Sequence, residues 1–202
     1  MFYIYRLSVD MICLGERLKK GTYRPTIDTI PCSQIMGALE KEFGTRIPAA
    51  GYFTESGGVE HMTFSLTDHY LCTAKLPLTV EYLRNPVGLV FIKKIGGLNL
   101  PNKFTVKMGA LKSKGFGRCL LEKEGEEAKP DIVTGRLKTR LYEDLLPEFG
   151  ITTIRQSVFG YLFVPTGEDT GYYIRSLFEG SVVEGYKFLL EVIDPDGTAE
   201  KI

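Results

Sequence analysis

Apolar and polar residues alternate over residues 2–14. Tyr3, Tyr5, Leu7, Val9 and Met11 fall on one side, and Phe2, Ile4, Arg6, Ser8, Asp10 and Ile12 on the other. A period of two predicts one long first strand. The polar, basic stretch 15–28, with Gly21 and Pro25, reads as a loop. The spacing then becomes helical. Ile35, Met36, Leu39 and Phe43 follow Pro31-Cys32-Ser33-Gln34, with Ser33 as the expected N-cap and Gly44 as the stop. Residues 45–58 hold Pro48, Gly51, Gly57 and Gly58, which predicts an irregular connection.

Beyond this point the apolar runs are short. Strands are expected over 62–66, 70–74, 77–83 and 87–94, the last two split by Asn85-Pro86. Two more, 103–108 and 118–123, flank a glycine-containing loop. Residues 124–130 read as a charged loop, 132–137 as a strand, and 142–149 as a short helix closed by Gly150. The stretches 151–164, 171–178 and 186–192 are β-branched and aromatic, and the polar tail from residue 194 reads as frayed. Scarce helix signal among many strands predicts an α+β chain dominated by antiparallel sheet.

Composition narrows the class. The 202 residues suffice for one large or two small domains. Apolar content of 44% fits a soluble globular protein. Lys+Arg and Asp+Glu are both 25, so there is no overall basic excess of the kind a free-standing nucleic-acid binder carries. Positive charge instead gathers between Lys103 and Arg140, interrupted by acids at 122–127. That distribution suits a subunit that shares its ligand with partners. No apolar run reaches the roughly 18 residues of a membrane span. The N-terminal residues lack the basic start and cleavage site of a signal peptide, so a cytoplasmic location is expected. Cys13, Cys32, Cys72 and Cys119 lie far apart, which favours buried apolar thiols over a disulfide or zinc. No cofactor or metal site is predicted.

The stretch Met108-Gly109-Ala110-Leu111-Lys112-Ser113-Lys114-Gly115-Phe116-Gly117-Arg118 joins permissive glycines to cations and one aromatic. Glycines permit close backbone approach, and cations suit phosphate. The stretch is neither a phosphate-binding GxxxxGK[ST] loop nor a GxGxxG fingerprint. On its own it also reads as a hairpin with solvated lysines. Two further basic groups are Arg17, Lys19, Lys20 and Arg24 in the first loop, and Arg136, Lys138 and Arg140 at period two on one strand face.

The segment Ile30-Pro31-Cys32-Ser33-Gln34-Ile35-Met36-Gly37-Ala38-Leu39, followed later by Gly109–Arg118 ending in Gly-Phe-Gly-Arg, resembles the RAMP superfamily of CRISPR effector proteins. The resemblance covers roughly the first 125 residues. It implies a ferredoxin-like, RNA-recognition-type βαββαβ core over 1–125, with a β-rich C-terminal extension over 126–202. It also implies CRISPR guide RNA and other effector subunits as partners. The nearest subgroup holds the 5′ handle of the guide. RNA contacts are then expected at Lys112, Lys114, Gly115, Phe116, Gly117 and Arg118, and at the two further basic groups. Tyr3, Tyr5, Phe104 and Phe116 are candidate stackers, Lys103 and Lys107 further candidate phosphate contacts. Alternation is expected to divide the strand cations between two faces.

Enzymatic activity is left open, leaning to none. His61 and His69 are candidates for the acid–base histidine of guide-processing relatives, but neither has a partner evident in the sequence. Asp28 is the candidate for the metal-binding aspartate of target-cleaving backbone subunits. A last alternative is an unrelated β-rich binding domain.

Overall fold

The computed structural model describes residues 1–15, 22–65, 67–68, 73–74, 77–166 and 170–193. The first strand is shorter than its alternation: β1 (Phe2–Val9) ends in a bend at Asp10, and β2 (Met11–Ile12) belongs to a different sheet. After β3 (Tyr23–Arg24) comes α1 (Cys32–Phe43). Pro31, not Ser33, holds the N-cap position, with extended φ and ψ and no side-chain cap. The Cys32 N–H donates instead to the Arg140 carbonyl, at 2.9 Å. Gly44 ends the helix at φ 69°, as a left-handed residue after the last turn should.

The expected irregular connection after the helix contains a strand, β4 (Ala49–Glu55). Its Gly51 is needed because a Cβ there would stand 2.6 Å from the Leu89 carbonyl oxygen and 3.0 Å from Ile35. The chain continues through β5 (Gly58–Phe64), the short β6 (Thr67–Asp68) and β7 (Thr73–Ala74), then β8 (Leu78–Arg84) and β9 (Val87–Lys93). β10 (Lys103–Lys107) and β11 (Arg118–Glu127) flank the glycine loop. β11 overruns the loop expected at 124–130. Its acids pair antiparallel with β1 as far as Phe2↔Glu127, across a register shift between Ile4 and Tyr5. β12 (Ile132–Leu137) and β13 (Leu141–Tyr142) lead to a 3₁₀ helix, Glu143–Phe149, closed by Gly150. β14 (Thr153–Gln156), β15 (Phe159–Pro165), β16 (Gly171–Leu177), β17 (Val182–Tyr186) and β18 (Leu190–Val192) complete the chain.

The central sheet runs β10-β11-β1-β9-β4, antiparallel throughout. Without its edge strand β10 the order is fourth-first-third-second, that of a ferredoxin-like βαββαβ unit. No helix lies between β9 and β10, where the second helix of such a unit belongs. Gly96, Gly97 and Pro101 there favour a turn. One sheet face packs on α1: Tyr5 lies edge-on to Phe104 at 5.2 Å, and Phe104 likewise to Phe43. At its Phe2 end the opposite face is covered by the C-terminal half. Phe2 stacks on Phe149 at 5.6 Å and Phe91 on Phe188 at 4.3 Å. No helix among the described residues is long and apolar enough to cross a membrane.

Candidate nucleic-acid interface

The loop between β10 and β11 is built by left-handed backbone. Gly109, Leu111, Gly115 and Gly117 have φ of 81°, 56°, 91° and 71°, a region only glycine enters without cost. Two of these glycines also permit close packing inside the chain. A Cβ on Gly117 would stand 1.8 Å from the Met108 carbonyl oxygen, and one on Gly109 2.6 Å from that of Cys13. Backbone bonds tie the loop to the chain just after β1: Ala110 N–H donates to Cys13 at 2.9 Å and Gly117 N–H to Met11 at 2.7 Å. The Gly109 N–H donates to Oε1 of Gln34, in the first turn of α1, at 3.1 Å. The loop is therefore a fixed shelf beside the helix start. Its 3₁₀ turn, Lys112–Lys114, leaves both lysines exposed.

Lys112 opens onto a groove of about 570 Å³. Gln34, Gly37 and Lys41 of α1 form one side, Arg46 lies beyond the helix end, and Tyr172 of β16 stands opposite. Lys41, Arg46 and Lys112 give the groove three cations, with Glu40 as the acid beside them. Partial burial, and next the neighbouring Lys41 charge, lower the Lys112 pKa below its usual value. Among the described residues none of the three cations is in a salt bridge. Gly37 is exposed in mid-helix, and beyond the helix's own backbone no atom lies within 4 Å of where its Cβ would be. Its lack of a side chain leaves the helix backbone open to the groove.

A second cationic area lies on the central sheet's face away from α1. Lys107 and Arg118 are directly paired, and Lys103 and Arg6 both pair with Glu122; all four cations are exposed. The expected division between faces is therefore corrected: Lys103, Lys107 and Arg118 share one. The two lysines are four positions apart on one strand, and antiparallel partners lie on the same side. Lys103 is neutralised by Glu122 at 2.6 Å. Lys107 and Arg118 repel across the strands, with no salt bridge to either among the described residues.

Other predicted contacts are reassigned. Phe116 is 2% exposed and sits edge-on to Tyr82 at 5.2 Å in a small core with Cys13 and Val80. It does not present a stacking face, nor do the buried Tyr3 and Tyr5, and Phe104 is half-buried. Arg136, Lys138 and Arg140 do not form a row, because β12 ends at Leu137. Arg136 is exposed, the Lys138 ammonium lies 3.7 Å from the Tyr52 ring centroid, and Arg140 is held by Glu179 through two bonds of 2.7 Å. Arg24 keeps its Nε buried with no hydrogen-bond partner. Arg17, Lys19, Lys20, His69 and Cys72 lie outside the described residues.

The structure supplies what the sequence hid at His61. Its Nε2 is 3.2 Å from Glu81 Oε1, in the cross-strand pair His61↔Glu81. Tyr23 donates to the same oxygen, and the Thr26 N–H to the other at 3.1 Å. The Tyr23 bond, followed by the Thr26 bond, holds the Glu81 pKa below its ordinary value. Asp28 is exposed, and among the described residues it accepts only from Thr29, at 3.4 Å. Among the described residues no group of three His, Cys, Asp or Glu side chains is placed to hold a metal. Cys13, Cys32 and Cys119 are buried free thiols; burial pushes the Cys32 and Cys119 pKa values up to about 12.

No family model and no curated protein matches the sequence. Solved structures match its fold. A chain of the Type III-B Cmr-beta complex bound to cognate target RNA and AMPPnP superposes with a TM-score of 0.58 at 11% identity, over 90% of this chain and 86% of that one. A chain of Cmr-beta bound to cognate target RNA gives 0.57 at 12%, over 89% and 86%. A chain of a CRISPR RNA-guided surveillance complex gives 0.50 at 14%, over 96% and 94%. The molecule therefore shares the α+β fold of these chains from CRISPR complexes.

Proposed function

We propose that the chain is a non-catalytic RNA-binding subunit of a CRISPR effector complex, holding the 5′ handle of the guide. The observation that carries this reading is the glycine loop. Tied to the helix start, it sets Lys112 beside Lys41 and Arg46 at a groove whose floor is opened by Gly37. Three cations around one groove suit consecutive phosphates, and exposed helix backbone suits close contact with ribose or phosphate. The fold shared with CRISPR complex subunits supplies the context. The test is to sequence RNA that copurifies with the chain from its native host. Reads sharing one 5′ segment are expected, with loss of that RNA in the Lys41→Ala, Lys112→Ala, Lys114→Ala triple variant. Random RNA, or equal recovery by the variant, overturns the reading.

One observation favours a second reading, an RNA-cleaving relative: the exposed His61 is oriented by Glu81. A carboxylate accepting from an imidazole N–H fixes its tautomer and orientation. The same bonds also fasten β3 and β5 to β8, a purely structural use. RNA cut without divalent metal by the wild type, and not by His61→Ala, would select this reading.

A further inference from the structure

The hairpin of β15 and β16 has two unlike faces. Leu162 and Ser176 point inward and are buried. The cross-strand pairs Tyr161↔Arg175 and Phe163↔Tyr173 alternate with these, so their side chains lie on the outer face; Phe159 continues it, while its partner Leu177 is buried where the hairpin joins the core. There Tyr161 is 61% exposed, Tyr173 68%, and Phe159 and Phe163 36% each. The rings of Phe163 and Tyr173 meet edge-on at 5.3 Å, and the Arg175 guanidinium lies 3.9 Å from the Phe159 ring centroid. An exposed aromatic row of this density marks a binding surface.

Two observations choose the occupant. The first is the chemistry: flat rings with one stacked guanidinium on a β-surface make a platform for nucleobases. The second is continuity. Phe163 belongs both to this row and to the lining of the groove that holds Lys41, Arg46 and Lys112. A strand whose phosphates occupy that groove reaches the aromatic row at Phe163. Arg175 is itself paired with Glu143 at 3.3 Å. The row is thus equipped for stacking rather than for phosphate neutralisation.

We propose that the outer face of β15–β16 is a base-stacking platform for single-stranded RNA whose phosphates lie in the adjoining groove. The proposal rests on the RNA-binding reading given above. It assigns Tyr161 and Tyr173 as the main stacking residues, with Phe159 and Phe163 at the flanks.

The test is fluorescence anisotropy with a labelled, unstructured single-stranded RNA of about 12 nucleotides, within the span such surfaces cover, and with an abasic oligomer of equal length. Tyr161→Ala/Tyr173→Ala is expected to weaken RNA binding by about 10- to 100-fold. The slope of log affinity against log salt should stay unchanged, because no phosphate contact is lost. The abasic oligomer should bind the wild type and this variant equally, and Tyr161→Phe/Tyr173→Phe should retain RNA affinity. Wild-type affinity in the double alanine variant, alongside weakened binding in Lys41→Ala/Lys112→Ala, overturns the platform and leaves the RNA-binding reading standing. Equal loss of RNA and abasic binding also overturns it. Normal RNA binding combined with loss of other subunits from the copurified complex makes the face a protein interface instead. No binding by the wild type at low salt removes both readings.

Discussion

At the scale of single residues, the loop glycines separate into two kinds, and the difference is measurable. Gly117 and Gly109 combine positive φ with a neighbouring carbonyl where a Cβ would stand, whereas Gly115 has positive φ in open space. Alanine at Gly115 therefore costs only the left-handed penalty, about 1–2 kcal/mol. Alanine at Gly117 adds a clash that backbone must relieve, and should cost more than about 3 kcal/mol. Gly109→Ala should fall between them, since its approach to Cys13 is less severe. Urea denaturation of the three variants checks this order; equal destabilisation would show that the close approaches do not matter. The need for glycine was legible in the sequence, but its reason was not. The close neighbours are Met108 and Cys13, brought there by the hairpin closing and by the chain after β1. Phe116 shows the opposite failure. The sequence offered it as a candidate stacking ring, yet the turn aims it inward at Tyr82.

At the scale of elements, α1 carries a test of whether its outer surface serves stability or ligand. Glycine in an exposed helix interior is about 1 kcal/mol worse than alanine, and the space around Gly37 is open. Gly37→Ala should raise stability by up to about 1 kcal/mol and weaken RNA binding. A stabilised variant with unchanged affinity would show that RNA does not approach the helix backbone. A second element-scale test concerns the joint between β12 and the segment after β16. Arg140 bonds Glu179 there and lies 4.3 Å over the Phe178 ring. Burial works to raise the Glu179 pKa, but the Arg140 bonds prevail and lower it below its ordinary 4.5. A carboxylate lowered in the folded state stabilises fully above its unfolded value, and that contribution is lost as pH falls through the folded value. The stability gap between wild type and Glu179→Gln should therefore be constant near neutrality and narrow as pH falls below the ordinary 4.5. A gap that persists undiminished in acid would exclude the pair as its source. In the sequence, Arg140 read as the last of three aligned cations. The end of β12 at Leu137 breaks that alignment, and Glu179, 39 residues away, turns the arginine to a structural use.

At the scale of the whole molecule, a neutral chain must localise its positive charge to bind RNA. The groove cations Lys41, Arg46 and Lys112 come from α1, the residues after it, and the glycine loop. Replacing all three with alanine should lower the slope of log affinity against log salt by about 2, from roughly 0.7 per single-strand phosphate contact. The corresponding Lys107→Ala/Arg118→Ala variant asks whether the opposite sheet face also meets RNA. A change of slope in that variant alone would move the phosphate track from the groove to the sheet.

The sequence by itself determined the class of the fold and the order of its main elements. Period-two and period-3.6 patterns are local, and so are the glycine and proline signals that mark the helix stop at Gly44 and the turn at Asn85-Pro86. It also determined that Lys112 and Lys114 are exposed, because a loop between two strands runs over the surface. Tertiary structure decided which residues meet. It placed β4, masked by glycine and proline, at a sheet edge where Gly51 is required by its neighbours. It paired His61 with Glu81 across a strand register that no local pattern specifies. It buried Tyr3, Tyr5 and Phe116 while exposing Tyr161 and Tyr173, since a ring's surroundings depend on which layer its strand joins. It also brought Lys41, Arg46 and Lys112 around one groove. The physical reason is range: backbone preference acts over a few residues, whereas burial, charge pairing and groove shape depend on contacts between segments distant in the chain.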